Sequence, residues 1–268
     1  MKSWRTIALS VIVASSVALI GCGQTSAPEP TAADPAAETT IYVVRHGETW
    51  FNVQSIVSGW SDSFLTEKGE EQANAAGKAL ADVSFDAVLS SDLGRALDTA
   101  ETIVDVNEEP VEITGVHELR EQHYGGYDGM KDIDMWVPIM EQMGYPFTGD
   151  VANQDFWSDP SALEWYGSVS EEAIMDTIAS TDESGYAEDW DAYQARLSDA
   201  IGVIENTAKK HPGGNVLVVS HGGAIGTLLH LLSPELEIAG IGNASISTVT
   251  YKDGTFTVRA VGEEPSEF

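Results

Sequence analysis

The chain has 268 residues and a formal net charge of −30, with 43 acidic against 13 basic side chains, 43% hydrophobic residues and a single cysteine. The apolar content suffices for a packed core, and 25 glycines and 10 prolines are too few for a collagen-like or generally disordered chain. So large an excess of negative charge repels nucleic-acid phosphates and anionic lipid headgroups, so neither is expected as a general partner, and any anionic substrate needs a locally basic pocket.

The first 21 residues contain no acid; Lys2 and Arg5 precede an apolar run over 7–20, and Leu19-Ile20-Gly21-Cys22 closes it. The run falls short of the roughly 20 residues that span a bilayer, and its order of charged, apolar and small residues is that of a secretory signal. The closing four residues resemble the lipobox of bacterial lipoproteins. That resemblance implies cleavage before Cys22, lipidation of Cys22, and attachment to a membrane at the extracytoplasmic face of the bacterial cell envelope. A plain signal peptide with an incidental cysteine and an uncleaved anchor are the alternatives. Residues 1–21 are then a lipoprotein signal peptide and 22–39 a flexible tether, whose Pro-, Ala- and Glu-containing sequence lacks hydrophobic periodicity and spans roughly 20 Å as a coil. A lone cysteine allows no internal disulfide.

Residues 40–45 form an apolar run that ends on a charged tip and a glycine, the pattern of a buried strand feeding a functional loop. Thr66 opens a helix that runs to about residue 81, a strand follows at 85–90, and 93–106 is helical again. The alternation resumes with a helix over 190–210, a strand at 215–220, a helix over 224–232, and two strands near 245–251 and 255–261. Strands alternating with helices predict an α/β fold, a three-layer α/β/α arrangement around a mostly parallel central sheet, over residues 40–262 with a tail at 263–268. Between about 130 and 188 the character changes to many acids and aromatics, among them Trp136, Phe156, Trp157, Trp165 and Tyr166. This reads as an inserted, mainly helical cap whose aromatics make a satellite core and whose acids form a solvated face.

The run Val43-Val44-Arg45-His46-Gly47-Glu48-Thr49 places a basic pair just past a buried strand, where an open parallel sheet presents its ligand crevice. A guanidinium grips phosphate oxygens in a planar fork, and a neighbouring ring nitrogen can attack phosphorus. The run resembles the signature of the histidine phosphatase superfamily, also called phosphoglycerate mutase-like. Asn52, Gly59-Trp60, Ser90-Ser91-Asp92-Leu93-Gly94-Arg95-Ala96, Leu119-Arg120-Glu121 and Val218-Val219-Ser220-His221-Gly222-Gly223 extend the likeness in the family's order. It covers about 40–129 and 190–261.

The resemblance implies a histidine acid phosphatase-like phosphoric monoester hydrolase acting on small-molecule phosphate esters without a cofactor. His46 becomes the nucleophile that forms a phosphohistidine. Arg45, Arg95 and His221 surround the transferred oxygens, with Asn52 and Gly222 as further substrate-binding positions, and Glu121 is the proton donor. Taken alone, Arg95 reads as an exposed helix-start residue and His221 as a satisfied core histidine; the surrounding motifs assign both to the site. Of the five arginines after residue 22, two fall at this site, a placement that surface solubility does not require.

No His/Cys cluster or calcium-loop spacing argues for a metal, and Asp132 and Asp134 read as part of the solvated helix face. His117, His123, His211 and His230 read as structural or exposed. Ile56, Asp92 and Gly223 depart from residues common in the family, and with the acidic insert they favour a phosphatase. A phosphate-transferring isomerase of the mutase kind and a catalytically inactive surface-binding module stay open. The insert, directly following the Glu121 segment, is expected to close over the leaving group.

Overall fold

The computed structural model describes residues 37–107, 111–152, 156–238 and 240–268. The expected signal peptide, Cys22 and nearly all of the expected tether lie outside them. The strands are β1 (Thr39–Arg45), β2 (Ala87–Ser91), β3 (Ile113–Val116), β4 (Asn215–Ser220), β5 (Ile246–Lys252) and β6 (Thr255–Glu263). The helices are α1 (Trp50–Val53), α2 (Glu67–Ala79), α3 (Gly94–Val106), α4 (Asp132–Gln142), α5 (Pro160–Ser168), α6 (Glu171–Thr181), α7 (Trp190–Lys210) and α8 (Gly222–Leu232).

One sheet has the order β3-β2-β4-β1-β5-β6. The first four of these strands run parallel, β5 runs antiparallel to β1, and β6 antiparallel to β5. The two-residue period of a strand sends Ile41, Val43, Val216 and Val218 to one face, where they meet Ala200 and Ile204 of α7 and Ile225 and Leu228 of α8. Val44, Leu217, Val219 and Val88 face the other way, onto Ala76 of α2 and Ala96, Ala100 and Ile103 of α3. Burial on both faces explains why β1 and β4 read as unbroken apolar runs, and the result is the expected three-layer sandwich.

The predicted elements recur, α7 and β4 with the expected bounds and the others with shifted ends. Strand β3 was not anticipated: its four residues contain Gly115 and two exposed positions, too little pattern to stand out, and it lies at the sheet edge. Helix α8 begins two residues earlier than expected because Gly222 and Gly223, poor helix formers, take helical conformation at its first turn. Thr66 caps α2 by accepting from Gly69 N at 3.0 Å, as the sequence suggested.

Residues 130–188 are mainly helical, with α4, α5 and α6 packed around Trp136, Ile139, Phe156, Trp165, Ile174 and Ile178. Asp134 is exposed, but Asp132 is buried, which corrects its reading as solvated. The first turn of α4 lies against the 54–57 loop: Asp132 N donates to Ser55 O at 2.8 Å and Val57 N to Met130 O at 2.9 Å. Among the described residues no helix is long and apolar enough to cross a membrane.

Candidate active site

The site forms where β1 and β4 end. Their register pairs Arg45 with Ser220, so the next residues, His46 and His221, emerge side by side. His46 N donates to Ser220 O at 3.0 Å, and the two ring centroids are 5.2 Å apart. From β1 the chain crosses to β2 on the far side of β4, which opens a crevice at the carboxyl ends of β1 and β4. A cleft of about 350 Å³ occupies it, lined by Arg45, His46, Asn52, Arg95, Glu121 and Trp157 among others.

His46 is held in one state. Its Nδ1 lies 2.8 Å from Gly47 O. A carbonyl only accepts, so Nδ1 carries the hydrogen and Nε2 keeps the lone pair. Asn243 Nδ2 donates to His46 O at 3.0 Å and fixes the backbone. Burial, and then the positive charges of Arg95 and Arg45, push the His46 pKa well below 6.5. His221 is pushed down in the same way by burial and by Arg95. Both rings are therefore neutral at pH 6.5. Following the ring nitrogens by NMR while the pH is lowered through 6.5 should show neither histidine taking up a proton until well below that value. Protonation of either at 6.5 or above would contradict this electrostatic account. The stability linkage has a definite sign: the unfolded chain binds these protons first, so stability from both rings is complete above the unfolded pKa of about 6.5 and declines as pH falls toward the folded values.

The donors around His46 are anchored on one side and unengaged on the other. Arg95 is 1% exposed, and its Nη1 donates to Ser61 O at 2.9 Å and Asp62 Oδ1 at 3.0 Å while Nη2 donates to Gly59 O at 2.8 Å. Gly59 adopts a φ of +48°, a left-handed conformation that glycine enters without a Cβ penalty. Arg45 Nη1 donates to Ile241 O at 2.6 Å. His221 Nε2 lies 2.8 Å from Ser91 Oγ, which itself accepts from Leu93 N at 3.4 Å. With the ring hydrogen on Nδ1 the Ser91 hydroxyl donates to Nε2, and with it on Nε2 the hydroxyl accepts. Arg45 Nε, Arg95 Nε and His221 Nδ1 are all buried without a hydrogen-bond partner. One such group costs about 1–3 kcal/mol, and two of these residues, Arg45 and Arg95, line the cleft.

Glu121 stands across the cleft. Its Oε1 accepts from Gln122 N at 3.0 Å and Ala224 N at 2.9 Å, and its Oε2 from Gly223 N at 3.0 Å, so it sits on the amino end of α8. A Cβ at Gly223 would come within 2.7 Å of Glu121 Oε1, so the glycine there lets the carboxylate reach the helix. Arg196 holds the loop behind it, donating to Glu118 O, Arg120 O and Glu121 O at 2.8–2.9 Å and forming a two-pronged pair with Glu188 at 2.7 Å. Trp60 Nε1 donates to Glu121 O at 2.8 Å.

Every residue expected at the site from the sequence, Arg45, His46, Asn52, Arg95, Glu121, His221 and Gly222, lies in or against this region. Asn52 is a qualified case: its Oδ1 is committed to the Thr49 cap of α1, accepting from Thr49 N and Oγ1 at 3.0 Å each. Reading the sequence missed Arg196, Asn243 and Glu171. The scarcity of arginine that singled out Arg45 and Arg95 pointed equally to Arg196; Asn243 and Glu171 carry no local signal. His230, read as structural or exposed, lies on the outer part of the cleft.

Residues 41–145 and 159–264 match the model of the histidine phosphatase superfamily, branch 1. A metal-independent phosphoserine phosphatase of Arabidopsis thaliana is 31% identical over 216 residues, 80% of this chain and 77% of that protein. A 2,3-bisphosphoglycerate-dependent phosphoglycerate mutase of Allorhizobium ampelinum is 38% identical over 98 residues, 35% of this chain and 46% of the mutase. Among solved structures, a phosphoglycerate mutase from Bacillus anthracis superposes with a TM-score of 0.75 at 34% identity, over 86% of this chain and 96% of that one.

Proposed function

Since the chain belongs to the histidine phosphatase superfamily, branch 1, we propose that it is a metal-independent phosphatase that hydrolyses phosphate monoesters through a phosphohistidine on His46. The observation that carries this reading is the set of three buried, unpartnered nitrogens, Arg45 Nε, Arg95 Nε and His221 Nδ1, on residues beside a neutral His46. They offer a phosphoryl group fixed positive charge and hydrogen bonds, the role a metal ion serves elsewhere.

The steps balance without an outside reagent. His46 Nε2 attacks phosphorus and the P–O bond to the alcohol breaks, while Glu121 gives its proton to the departing oxygen. The Nδ1 hydrogen bond to Gly47 O stabilises the positive ring that results. Water then attacks phosphorus, Glu121 takes a proton from it, the P–N bond breaks, and inorganic phosphate leaves. Both steps place charge on oxygens that face the same donors.

Rapid quenching into alkali with a ³²P-labelled ester should trap label on His46, and activity should survive EDTA. An acid-stable, alkali-labile adduct, or loss of turnover on chelation, would overturn the assignment. A mutase reading draws on the 34% identity to a phosphoglycerate mutase structure. Apart from Arg45, Arg95 and the histidines, however, the described lining of the cleft contains no basic side chain to hold a second phosphate. Release of free phosphate rather than an isomeric ester separates the two.

The same proposal places the enzyme outside the cytoplasm, lipidated on Cys22 and held near a membrane by the segment up to residue 39. Its support is the basic, apolar and Leu-Ile-Gly-Cys order of the N-terminus.

A further inference from the structure

Beyond the phosphate site the cleft widens into a chamber of about 570 Å³. The chamber and the phosphate site share Arg45, Glu121, Tyr124, Trp136 and Trp157, so the alcohol portion of an ester bound at His46 extends into it. Its Tyr and Trp rings are Tyr124, Trp136, Trp157 and Tyr166, three of them from the insert, and most of the remaining lining comes from residues 222–241. Tyr124 and Trp136 meet edge to face with centroids 5.8 Å apart, Trp136 and Trp157 at 5.2 Å, and Trp157 and Tyr166 at 5.3 Å. The successive interplanar angles are 78°, 67° and 89°, so ring faces are presented in more than one direction and no single flat platform forms.

Glu171, the first residue of α6, lines the same chamber as the rings. Its Oε1 accepts from Thr227 Oγ1 at 3.0 Å. Among the described residues Glu171 enters no ion pair, and the chamber is lined by no lysine, His230 being the one further side chain there that can carry positive charge. Its one arginine, Arg45, belongs to the phosphate end. Burial, with Glu121 adding to it, holds the Glu171 carboxyl above its ordinary value, as expected of an acid that lacks a positive neighbour.

Building on the phosphatase reading, we propose that the preferred substrates are phosphate monoesters of amino alcohols, with the ammonium group seated among Tyr124, Trp136, Trp157 and Tyr166 and facing Glu171. Aromatic faces and a carboxylate attract a cation together, and more strongly in a partly dry chamber than in water. The whole-chain field points the same way. A net charge of −30 repels a dianionic ester, and an ammonium on the alcohol offsets part of that repulsion. A sugar phosphate can also meet the rings and donate hydroxyl hydrogen bonds to Glu171, but it brings no charge to pair with the carboxylate. A carboxylated ester brings a second anion against it.

Phosphocholine and 3,3-dimethylbutyl phosphate test this, because they share a shape and differ in charge. The purified protein should show a kcat/KM about tenfold or more higher for phosphocholine. Glu171→Gln keeps an oxygen for Thr227 and should remove most of that ratio. Tetramethylammonium should also inhibit hydrolysis of nitrophenyl phosphate by the unaltered protein more strongly than neopentyl alcohol does. A ratio near one, a ratio unchanged in Glu171→Gln, equal inhibition by the two additives, or faster turnover of sugar phosphates would each overturn the proposal. Turnover of nitrophenyl phosphate with a trapped adduct on His46 would leave the phosphatase reading standing in that event. Absence of turnover on every ester would remove both.

Discussion

His46→Ala should lower kcat for nitrophenyl phosphate by roughly 10⁵-fold, equivalent to about 7 kcal/mol of transition-state stabilisation. On the proposed mechanism the substitution removes the atom that bonds to phosphorus, and it leaves the donors on Arg45 and Arg95 in place. KM should therefore move far less than kcat, since those donors bind the ester before any bond changes. The fold should survive. The ring's main partner is the carbonyl of the next residue, and Asn243 continues to hold His46 O through the backbone. An unchanged urea midpoint near neutral pH would establish that, and residual activity within tenfold of the starting protein would sink the nucleophile assignment. His221 is the natural competitor, being fully buried and 5.2 Å away between centroids. It differs in its partners: its Nε2 is engaged by Ser91 and its Nδ1 is buried, whereas His46 Nδ1 is engaged by Gly47 O and its Nε2 keeps the lone pair. If activity survived in His46→Ala and vanished in His221→Ala, the two roles would have to be exchanged.

What could be read from the sequence follows from where the physics is local. Strands β1 and β4, buried on both faces, could only be written as apolar runs, and their ends carry Arg45-His46 and His221-Gly222 as contiguous residues. Helix α7 matched to the residue because its cap, Asp189 accepting from Ala192 N at 2.9 Å, and its last-turn lysines are sequence features. Strand β3 escaped because four residues carry too little pattern, and pairing with β2 decides it. Asp132 was misread because an acid at the start of a helix is solvated by default; the 54–57 loop that covers it is distant in sequence. Glu171 and Asn243 are single polar residues in unremarkable surroundings, brought to the cleft by tertiary packing alone. The four motifs thus named residues that meet at one cleft. The adjoining chamber depends on tertiary packing that brings Trp136 and Trp157 of the insert into one lining with Glu121, which no spacing encodes.

Glu121→Gln should divide substrates by their leaving groups. Loss of a general acid is worth roughly 10²–10⁴-fold when the departing alkoxide is strongly basic, and little when it is a nitrophenolate that departs without a proton. Alkyl phosphates should therefore lose about 10³-fold in kcat/KM and nitrophenyl phosphate less than about tenfold. The local geometry makes a control necessary. Both carboxylate oxygens accept backbone hydrogen bonds from the first turn of α8, and the glutamine amide nitrogen cannot accept, so one of Gly223 N and Ala224 N loses its partner. That defect is common to every substrate and lowers all rates by one factor, whereas the acid role acts on the ratio between them. The Arg196 anchor on Glu121 O and the Trp60 bond to the same carbonyl are untouched by the change, so the loop keeps its position. Equal losses for alkyl and nitrophenyl esters would show that Glu121 only braces the cleft and that the proton comes from another group. A loss confined to alkyl esters would place the proton on the side chain that the amino end of α8 holds against the leaving group.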